Sequence, residues 1–424
     1  MYPKVLIISH NLFEITNNIG KTLVSLFKGW PKDCICQIYL RNDNPSFEYC
    51  ENYYQILDKE VAKSIISRKQ PVGSEILKQD GSIGEPLETS EQSLYQIGNK
   101  RYPIVSLVRD MVWSTQNWKN SALDAWIEKM SPEVILFVPN DYELIYPIAL
   151  YVQSKCNIPI VPFYMDDAFY FTGGISLIDV CRRRRLRKLG HKINELSQSM
   201  LVIGPKMAGE YAEIFHKECI PVMNSVIIDS EEDSKEENND FVFSYVGNLH
   251  SNRWKVLVDI AKKIPPAIDG KKVVLNIYSA SVLEKKVLKQ FEKNPILHMK
   301  GCVSPNKVPD ILKKSDVLIF VEAFDRKSKL STRLSLSTKI PEYLNSGTPI
   351  LAVGPQDISA MEYLAGNDLA FVSDENIDQA LNRVLINDER ARIAKNAREY
   401  VKNNHNIDDA SRIFQNVLIE VSQS

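Results

Sequence analysis

Short apolar runs alternate with segments of helical periodicity along most of this sequence. Such alternation is typical of parallel strands joined by crossover helices. The predicted strands are Val5–Ser9, Ile35–Leu40, Val134–Val138, Ile160–Met165, Met200–Ile203, Phe241–Val246, Val273–Tyr278, Ile296–Met299, Val317–Val321, Ile350–Val353 and Leu369–Val372. The predicted helices include Ile19–Trp30, Ile145–Lys155, Asp388–Asn403 and Asp408–Val421. With 424 residues, the pattern predicts an α/β protein with two Rossmann-like domains.

An acidic segment without apolar residues, Asp229–Asp240, divides the chain and has the composition of a solvated linker. We therefore predict an N-terminal domain at 1–228 and a C-terminal domain at 241–406, with a final helix at 407–424 that packs back on the first. Residues 41–102 are polar and weakly periodic, which predicts an insertion with its own function or a mobile lid. Ligands of doubly wound sheets bind outside the carboxyl ends of the strands, so we expect the site in a cleft that the two domains face.

Composition argues against several classes of protein. The net charge of -1 gives no global attraction to nucleic acid, and no window offers the ~18 apolar residues of a membrane span. The seven cysteines lack CxxC spacing and the six histidines lack HExxH spacing, so no disulfide framework or zinc site is predicted. No cofactor is predicted either. The amino terminus enters a strand without a signal-peptide pattern, which predicts a cytoplasmic protein. Peripheral contact with the inner face of the plasma membrane stays open.

The most informative motif is STKIPEYLNSGTPILAVGP, at 337–355. Ser337 and Thr338 can cap a helix that begins at Lys339. The unpaired N–H groups and partial positive charge of a helix start suit a phosphate. Glu342 lies about one turn further on, where a carboxylate can accept hydrogen bonds from two ribose hydroxyls. The alternative is that it only complements the positive helix end.

This segment resembles the donor-site motif of the GT-B glycosyltransferases, in particular glycosyltransferase family 4, where a glutamate precedes a small-Gly-x-Pro segment. The resemblance implies that Glu342 binds the nucleotide ribose. It also implies that the backbone of Leu336, Ser337 and Thr338 faces the donor phosphates, and that transfer retains the anomeric configuration. Many members carry a second glutamate seven residues earlier, where this chain has Ser335.

A second match opens the same domain, where FVFSYVGNLHSNRWKVLVDIAKKI is similar to the family's strand, Gly-x-Leu turn and basic helix start. The resemblance places Gly247 in the donor-binding turn, Arg253 at the diphosphate-binding lysine, and Asn248 at the family's other basic residue. A guanidinium can bind phosphate through two N–H groups and keeps its charge, although a solvated helix-start cation is the alternative. We expect Arg253, together with helix-start amides, to stabilise the departing diphosphate, and count Lys339 as a further catalytic candidate.

Two further loops match less specifically. Gly301, Cys302 and Val303 resemble the family's Gly-x-Val loop beside the nucleobase, although an ordinary strand-to-helix turn explains them almost as well. Gly20 resembles a glycine that lets the backbone approach the donor phosphate or the acceptor. Its Gly-Lys-Thr sequence is not a phosphate-binding P-loop, because Ile15 occupies the position of the required earlier glycine.

Three acidic or basic side chains follow predicted strands of the first domain. Asp166 and Asp167 end the strand in PIVPFYMDDAFY, where they can act as general base, hold acceptor hydroxyls or cap the next helix. Asp166 is the catalytic candidate of the pair, and His10, just after the first strand, is a third acceptor-side candidate. Asp166 and Asp167 lack DxD spacing, so we expect no metal dependence.

The segment Arg182–Lys192 contains seven cations on a helical pattern. Leu186, Leu189, Ile193 and Leu196 recur at helical spacing and form the predicted buried stripe. The helix is either a solvated surface element or a docking site for anionic lipid, which gains ~1 kcal/mol per cation near the surface. GT-B enzymes with lipid-linked acceptors often carry such a helix.

The sequence therefore predicts a glycosyltransferase that moves a hexosyl group from a UDP- or GDP-sugar to a glycan or lipid-linked acceptor. The setting that the resemblance implies is bacterial capsule, lipopolysaccharide or exopolysaccharide synthesis. One alternative is a UDP-sugar 2-epimerase on the same fold, which would release free UDP-sugar without an acceptor. The other is a non-catalytic relative that binds nucleotide or glycan without hydrolysing or transferring a sugar.

Overall fold

The computed structural model describes residues 2–15, 17–67, 72–78, 103–167, 169, 176–228 and 238–424. The chain forms two compact units, one of Met1–Val222 with Ser411–Ser424 and one of Met223–Ala410. Most of the predicted acidic linker and residues 79–102 of the predicted insertion lie outside the described residues.

The first unit is built on a largely parallel sheet. Its strands are β1 (Val5–Ile8), β2 (Ile35–Tyr39), β3 (Asn52–Gln55), β4 (Ser74–Ile76), β5 (Val134–Phe137), β6 (Ile160–Tyr164), β7 (Met200–Val202) and β8 (Cys219–Pro221). Its helices are α1 (Asn18–Leu26), α2 (Asp58–Ile66), α3 (Pro103–Ser114), α4 (Ser121–Met130), α5 (Ile145–Cys156), α6 (Leu177–Leu196) and α7 (Pro205–Phe215). The strand order is β4-β3-β2-β1-β5-β6-β7-β8, and β4 runs antiparallel to β3. This is the doubly wound arrangement, which reverses direction at β1.

The strands at the centre of this sheet explain the sequence pattern. Every residue of β1, β2, β5 and β6 is buried. Strands of a parallel sheet that is covered on both faces have no solvent side, so they appear as continuous apolar runs. The strongest predicted strands of the first domain are therefore its central ones.

Part of the predicted insertion belongs to this sheet. Residues 52–55 form β3 in parallel register with β2, and Tyr53 and Tyr54 are buried. This corrects the interpretation of 41–102 as an insertion throughout. A four-residue strand with a polar residue at each end has too few apolar positions for its periodicity to be detected.

The second unit repeats the doubly wound arrangement. Its strands are β9 (Phe241–Val246), β10 (Ala267–Ile268), β11 (Lys271–Tyr278), β12 (Leu297–Gly301), β13 (Val317–Val321), β14 (Ile350–Val353) and β15 (Phe371–Ser373). Its helices are α8 (Arg253–Lys263), α9 (Lys285–Glu292), α10 (Val308–Lys314), α11 (Arg326–Thr332), α12 (Lys339–Asn345), α13 (Ser359–Gly366), α14 (Asp378–Val384) and α15 (Asn387–Asn404). The parallel order is β12-β11-β9-β13-β14-β15, with β10 antiparallel to β11. The predicted α/β fold class with two Rossmann-like domains is confirmed.

The last helix, α16 (Ile407–Ser422), carries the chain back into the first unit. Ser411 Oγ and Gln415 Nε2 donate hydrogen bonds to the carbonyl oxygen of Leu26, at 2.7 and 2.9 Å. Phe414 is fully buried and packs edge-on against Phe27 at a ring-centroid distance of 5.0 Å. The final helix thus satisfies a carbonyl that the end of α1 leaves without a helical partner.

Candidate functional site

The carboxyl edge of the second sheet brings together a cluster of charged side chains. β9 and β13 are neighbours, and Gly247 and Glu322 directly follow them. β11 lies on the other side of β9, so the strand order reverses here. Doubly wound folds bind their ligands at this switch point.

Arg253 begins α8, and its guanidinium forms a bidentate ion pair with Glu322. Its Nε lies 3.1 Å from Glu322 Oε2, and its Nη2 lies 2.9 and 2.8 Å from Oε1 and Oε2. Its Nη1 donates a hydrogen bond to Asn248 Oδ1 at 2.9 Å. The Arg253 side chain is 17% exposed and that of Glu322 only 6%. The cation that the resemblance assigns to the diphosphate is therefore already neutralised by a carboxylate of the same chain.

Glu322 is absent from the residues that the motifs predict. A signal was present, since a carboxylate directly after the buried strand β13 lies at the ligand-binding edge of a parallel sheet. Its partner is 69 residues away in sequence. No local pattern connects the two residues.

Lys339 is the second cation of this cluster and begins α12. Its Nζ lies 4.6 Å from the ring centroid of Tyr245 and 3.2 Å from the Tyr245 hydroxyl oxygen. Burial of the ammonium, and then the positive charge of Arg253, lower the pKa of Lys339 from 10.5 to about 8, although Glu322 and Glu342 oppose the shift. Lys339 is therefore mostly charged at neutral pH, but it is unusually easy to deprotonate.

Backbone conformation and packing both favour glycine at position 247. It has a φ of 152°, a conformation that favours glycine. A side chain at this position would collide with the ammonium of Lys339. The glycine therefore makes room for Lys339, so a bound phosphate is not needed to explain it.

The turn before α12 contains the predicted phosphate-facing backbone. Ser337 Oγ accepts a hydrogen bond from the Lys339 N–H at 3.3 Å, whereas the Thr338 side chain makes no capping hydrogen bond. Asn224 Nδ2 donates a hydrogen bond to the carbonyl oxygen of Leu336 at 3.0 Å. Glu342 lies in the first turn of α12 and is half-buried. We refer to Leu336–Thr338 as the donor turn.

The predicted nucleobase loop lies further along the same edge. Gly301 ends β12 with a φ of 76°, and its carbonyl oxygen accepts a hydrogen bond from the Ser279 N–H at 2.9 Å. Cys302 is exposed and Val303 is half-buried. β11 separates β12 from β9, so this loop is about 10 Å from the Gly247 turn, given ~4.8 Å between strands. A ligand that reached both would have to extend along the sheet edge.

His10 follows β1 in the first unit and lies in an aromatic and basic environment. Its ring stacks on Tyr142 at 4.7 Å, and the Arg109 guanidinium lies 4.7 Å from the centroid of the Tyr142 ring. Burial, followed by the charges of Arg109 and Arg41, lowers the pKa of His10 to about 3. His10 is therefore neutral at physiological pH. Its Nδ1 is buried and has no hydrogen-bond partner among the described residues.

The two predicted acceptor-side carboxylates occupy different environments. Asp166 is exposed, whereas Asp167 is buried and its Oδ1 accepts a hydrogen bond from the Tyr211 hydroxyl at 3.2 Å. Asp167 therefore binds a residue of α7, which favours a structural role for it. Asp166 is the member of the pair that an acceptor could reach.

Gly20 is explained by packing within the first unit. Asn17 caps α1 and accepts a hydrogen bond from the Gly20 N–H at 2.8 Å. A Cβ atom at this position would collide with the backbone of Leu12 and Glu14. The N–H that the resemblance offered to a phosphate or acceptor is thus already paired.

The basic helix α6 is partly neutralised. Arg182 and Arg185 both contact Asp110, at 3.1 and 3.2 Å, and Arg185 also contacts Glu143 at 3.3 Å. Arg187 donates a hydrogen bond to the carbonyl oxygen of Phe169 at 3.2 Å. At least three of the seven cations are therefore engaged within the unit. Those with exposed side chains and no partner in this network are Arg184, Lys188 and Lys192.

The buried stripe of α6 also differs from the predicted one. Leu186 and Ile193 are buried, but Leu196 is 44% exposed. Gly190 and Asn194 are buried instead. Positions 186, 190, 193 and 194 share one helix face, and the small and amide side chains on it escape a search for apolar spacing alone.

Two kinds of feature are absent from the described part of the chain. No helix there is long and apolar enough to cross a bilayer. No group of three or more His, Cys, Asp or Glu side chains arranged to hold a metal ion occurs there either. Metal independence stays a prediction.

Comparison with known proteins adds evidence on the fold. No protein-family model matches the chain, and no curated protein matches its sequence. Solved structures match over nearly its whole length. A UDP-forming α,α-trehalose-phosphate synthase from Burkholderia xenovorans has a TM-score of 0.60 at 11% identity, covering 99% of this chain and 100% of its own. A glycosyltransferase from Rickettsia africae has a TM-score of 0.58 at 12% identity, covering 98% of both chains. The glycosyltransferase of kitacinnamycin has a TM-score of 0.52 at 14% identity, covering 98% of this chain and 99% of its own.

The chain has the GT-B fold. At these identities the likeness shows the fold alone, so the match to glycosyltransferase family 4 stays a prediction. In this GT-B chain the polar groups at the switch point of the second sheet come from three segments that are distant in sequence. They are the Gly247 turn with Arg253, Glu322 after β13, and the donor turn with Lys339.

Proposed function

We propose that this protein is a glycosyltransferase that moves a hexosyl group from a UDP- or GDP-sugar to a glycan or lipid-linked acceptor. The observation that carries the proposal is the cluster at the switch point of the second sheet. There, Lys339 and Arg253 adjoin the Gly247 turn, and Glu342 lies one turn further into α12. Glycosyltransferases of the same fold support it, among them one whose name states that it forms UDP.

The chemistry follows from the charge that develops on the leaving group. When the bond to the sugar breaks, negative charge grows on the diphosphate, and fixed cations and N–H groups stabilise it without reorganising. Lys339 and the amides of the donor turn are the groups that we assign to this role. Arg253 would contribute through the N–H groups that remain after its pairing with Glu322, or after that pair opens. Glu342 would accept hydrogen bonds from the ribose hydroxyls. Retention of configuration and metal independence are parts of the same proposal.

We assign acceptor binding to the first unit, with Asp166 as the accessible carboxylate and His10 as a neutral hydrogen-bonding group. Arg184, Lys188 and Lys192 form an exposed basic face on α6. Their charge suits anionic lipid, so we propose peripheral attachment to the inner face of the plasma membrane. That setting agrees with a lipid-linked acceptor and with synthesis of capsule, lipopolysaccharide or exopolysaccharide.

A second candidate is a relative that binds nucleotide without transferring sugar. Two observations favour it: Glu322 neutralises Arg253, and Ser335 replaces the second glutamate of the family motif. Such a protein would bind UDP or GDP, but would release no diphosphate from a nucleotide sugar in the presence of an acceptor.

Binding of the nucleotide ribose by Glu342 is expected of both the glycosyltransferase and the nucleotide-binding relative. It is not expected of a protein that uses this fold for an unrelated function. We expect wild-type protein to bind UDP or GDP in isothermal titration calorimetry, and Glu342→Gln to weaken that binding by about 10- to 100-fold. Loss of one charged hydrogen-bond partner costs ~1.5–3 kcal/mol. Glu399→Gln, an exposed glutamate on α15, is the matched control and should bind like wild type. Nucleotide affinity that is unchanged in Glu342→Gln would refute the ribose assignment. Release of UDP or GDP from the nucleotide sugar in the presence of an acceptor decides between an enzyme and a binding protein.

A further inference from the structure

A buried hydrogen-bond network leads from the end of α15 to the donor turn. The Tyr363 hydroxyl lies 2.9 Å from His405 Nε2, and His405 Nδ1 lies 2.6 Å from the carbonyl oxygen of Asn224. The amide of Asn224 continues the network by donating to the carbonyl oxygen of Leu336 at 3.0 Å. His405 is fully buried and Asn224 is 6% exposed. Water therefore has little access to these polar groups, so each depends on its partner.

The partners determine the protonation state of His405. A carbonyl oxygen only accepts, so His405 Nδ1 must carry the hydrogen that it shares with Asn224. Burial lowers the pKa of His405 and keeps it neutral. His405 Nε2 is then an acceptor, and the Tyr363 hydroxyl donates to it. The network thus has one consistent direction, from Tyr363 to the Asn224 backbone.

Backbone hydrogen bonds hold Asn224 and His405 side by side. The Val226 N–H donates to the carbonyl oxygen of His405 at 2.9 Å, and the Ile407 N–H donates to the carbonyl oxygen of Val226 at 3.1 Å. These segments lie close to the two points where the chain passes between its compact units. Asn224 is therefore held through both its backbone and its side chain.

The geometry of the peptide bond transmits this restraint to the donor turn. In a planar trans peptide the C=O of one residue and the N–H of the next point in opposite directions. A hydrogen bond that orients the Leu336 carbonyl toward Asn224 therefore orients the Ser337 N–H away from it. The direction of the Ser337 amide is thus determined by a side chain 112 residues earlier in the sequence.

We propose that Asn224, held by His405, is a positioning residue for the donor turn, and that it aims the Ser337 amide at a phosphate of the bound nucleotide diphosphate. This inference rests on the proposed function for the identity of the ligand. The restraint that Asn224 places on the donor turn is independent of the proposed function, because it acts on the ligand-free protein. In this proposal Asn224 acts on the ligand through the turn. Its replacement should therefore weaken donor binding by more than the loss of overall stability explains.

The test replaces the amide by an apolar group of similar size. In Asn224→Leu we expect UDP and GDP to bind at least tenfold more weakly in calorimetry. In the ligand-free protein, we expect faster amide hydrogen exchange in peptides that cover 333–345. The matched control is Asn396→Leu, because the Asn396 amide also donates to backbone carbonyls, those of Asn367 and Asp368, elsewhere in the second unit. This control should change the unfolding midpoint without changing nucleotide affinity or exchange at the turn.

The outcomes are distinguishable. The inference would be overturned if amide hydrogen exchange at 333–345 were as slow in Asn224→Leu as in wild type. It would also be overturned if the Asn224 and Asn396 variants lost nucleotide affinity equally. If wild type binds neither nucleotide, the proposed function fails, and the exchange measurement alone decides whether Asn224 restrains the turn. If Asn224→Leu does not fold, Asn224→Asp is used in its place. This variant keeps the size of the side chain and, at neutral pH, lacks the N–H group that donates to the Leu336 carbonyl oxygen, so the same results are expected.

Discussion

The ion pair between Arg253 and Glu322 allows a quantitative test of the site. We consider Arg253→Met, Glu322→Gln and the double variant. Arg253→Met leaves a carboxylate that is 6% exposed without its cation, and removal of one partner of a buried pair costs ~3–5 kcal/mol. Glu322→Gln should cost less, about 1.5–3 kcal/mol, because Arg253 keeps Asn248 and some contact with solvent.

The double variant removes both charges, so no buried ion is left unpaired. Its decrease in the free energy of unfolding should therefore be smaller than the sum of the decreases in the two single variants. We expect a coupling energy of about 2 kcal/mol or more. The assay is urea unfolding followed by circular dichroism, with the four proteins measured at the same pH and ionic strength. The native spectra also serve as the folding control.

The exposed pair of Arg383 and Glu389 provides the comparison within the same unit. Its closest contact is 2.7 Å, similar to that of the buried pair, but its side chains are 43% and 31% exposed. A double-mutant cycle on Arg383 and Glu389 should give a coupling energy of less than ~1 kcal/mol, because solvent screens exposed charges. A coupling energy below about 0.5 kcal/mol for Arg253 and Glu322, or equal couplings for the two pairs, would refute the reasoning from burial.

Two further predictions concern charge at separate places in the chain. In the folded protein the pKa of Lys339 is lowered to about 8, so the unfolded chain keeps the ammonium proton of Lys339 to higher pH. The free energy of unfolding should therefore increase by a contribution from Lys339 as pH rises from about 8 toward 10. Urea titrations at several pH values should show this contribution in wild type and lack it in Lys339→Met; parallel curves for the two proteins would contradict the shift. Replacing Arg184, Lys188 and Lys192 by Glu should abolish sedimentation with anionic liposomes at low salt, whereas neutral liposomes should bind neither protein. Equal sedimentation of wild type and variant would remove α6 from any membrane contact.

The sequence by itself determined the order and type of most elements. Central strands of parallel sheets are buried on both faces, so β1, β5, β13 and β14 are visible as continuous apolar runs within a residue or so of their observed ends. The residues that flank α12 were also sufficient to place it. Its predicted start at Lys339 is observed, and Gly347 follows its end with a φ of 71°. These features depend on neighbours within one turn or one strand.

Four short strands were missed for a related reason. β3, β4, β8 and β10 are short and partly exposed, and β8 ends at Pro221, which donates no backbone hydrogen bond. Such strands exist because a neighbouring strand presents unpaired backbone groups. Their own side chains carry little of the signal.

Only the tertiary structure decided the roles of the charged and polar residues. The motif around Arg253 indicates a helix-start cation, but its carboxylate partner lies 69 residues away. The Leu336 carbonyl is likewise held by Asn224, 112 residues earlier. Local spacing determines which face of a helix or strand a side chain occupies. Its partner, its burial and therefore its charge depend on which distant segments the folded sheet places beside it.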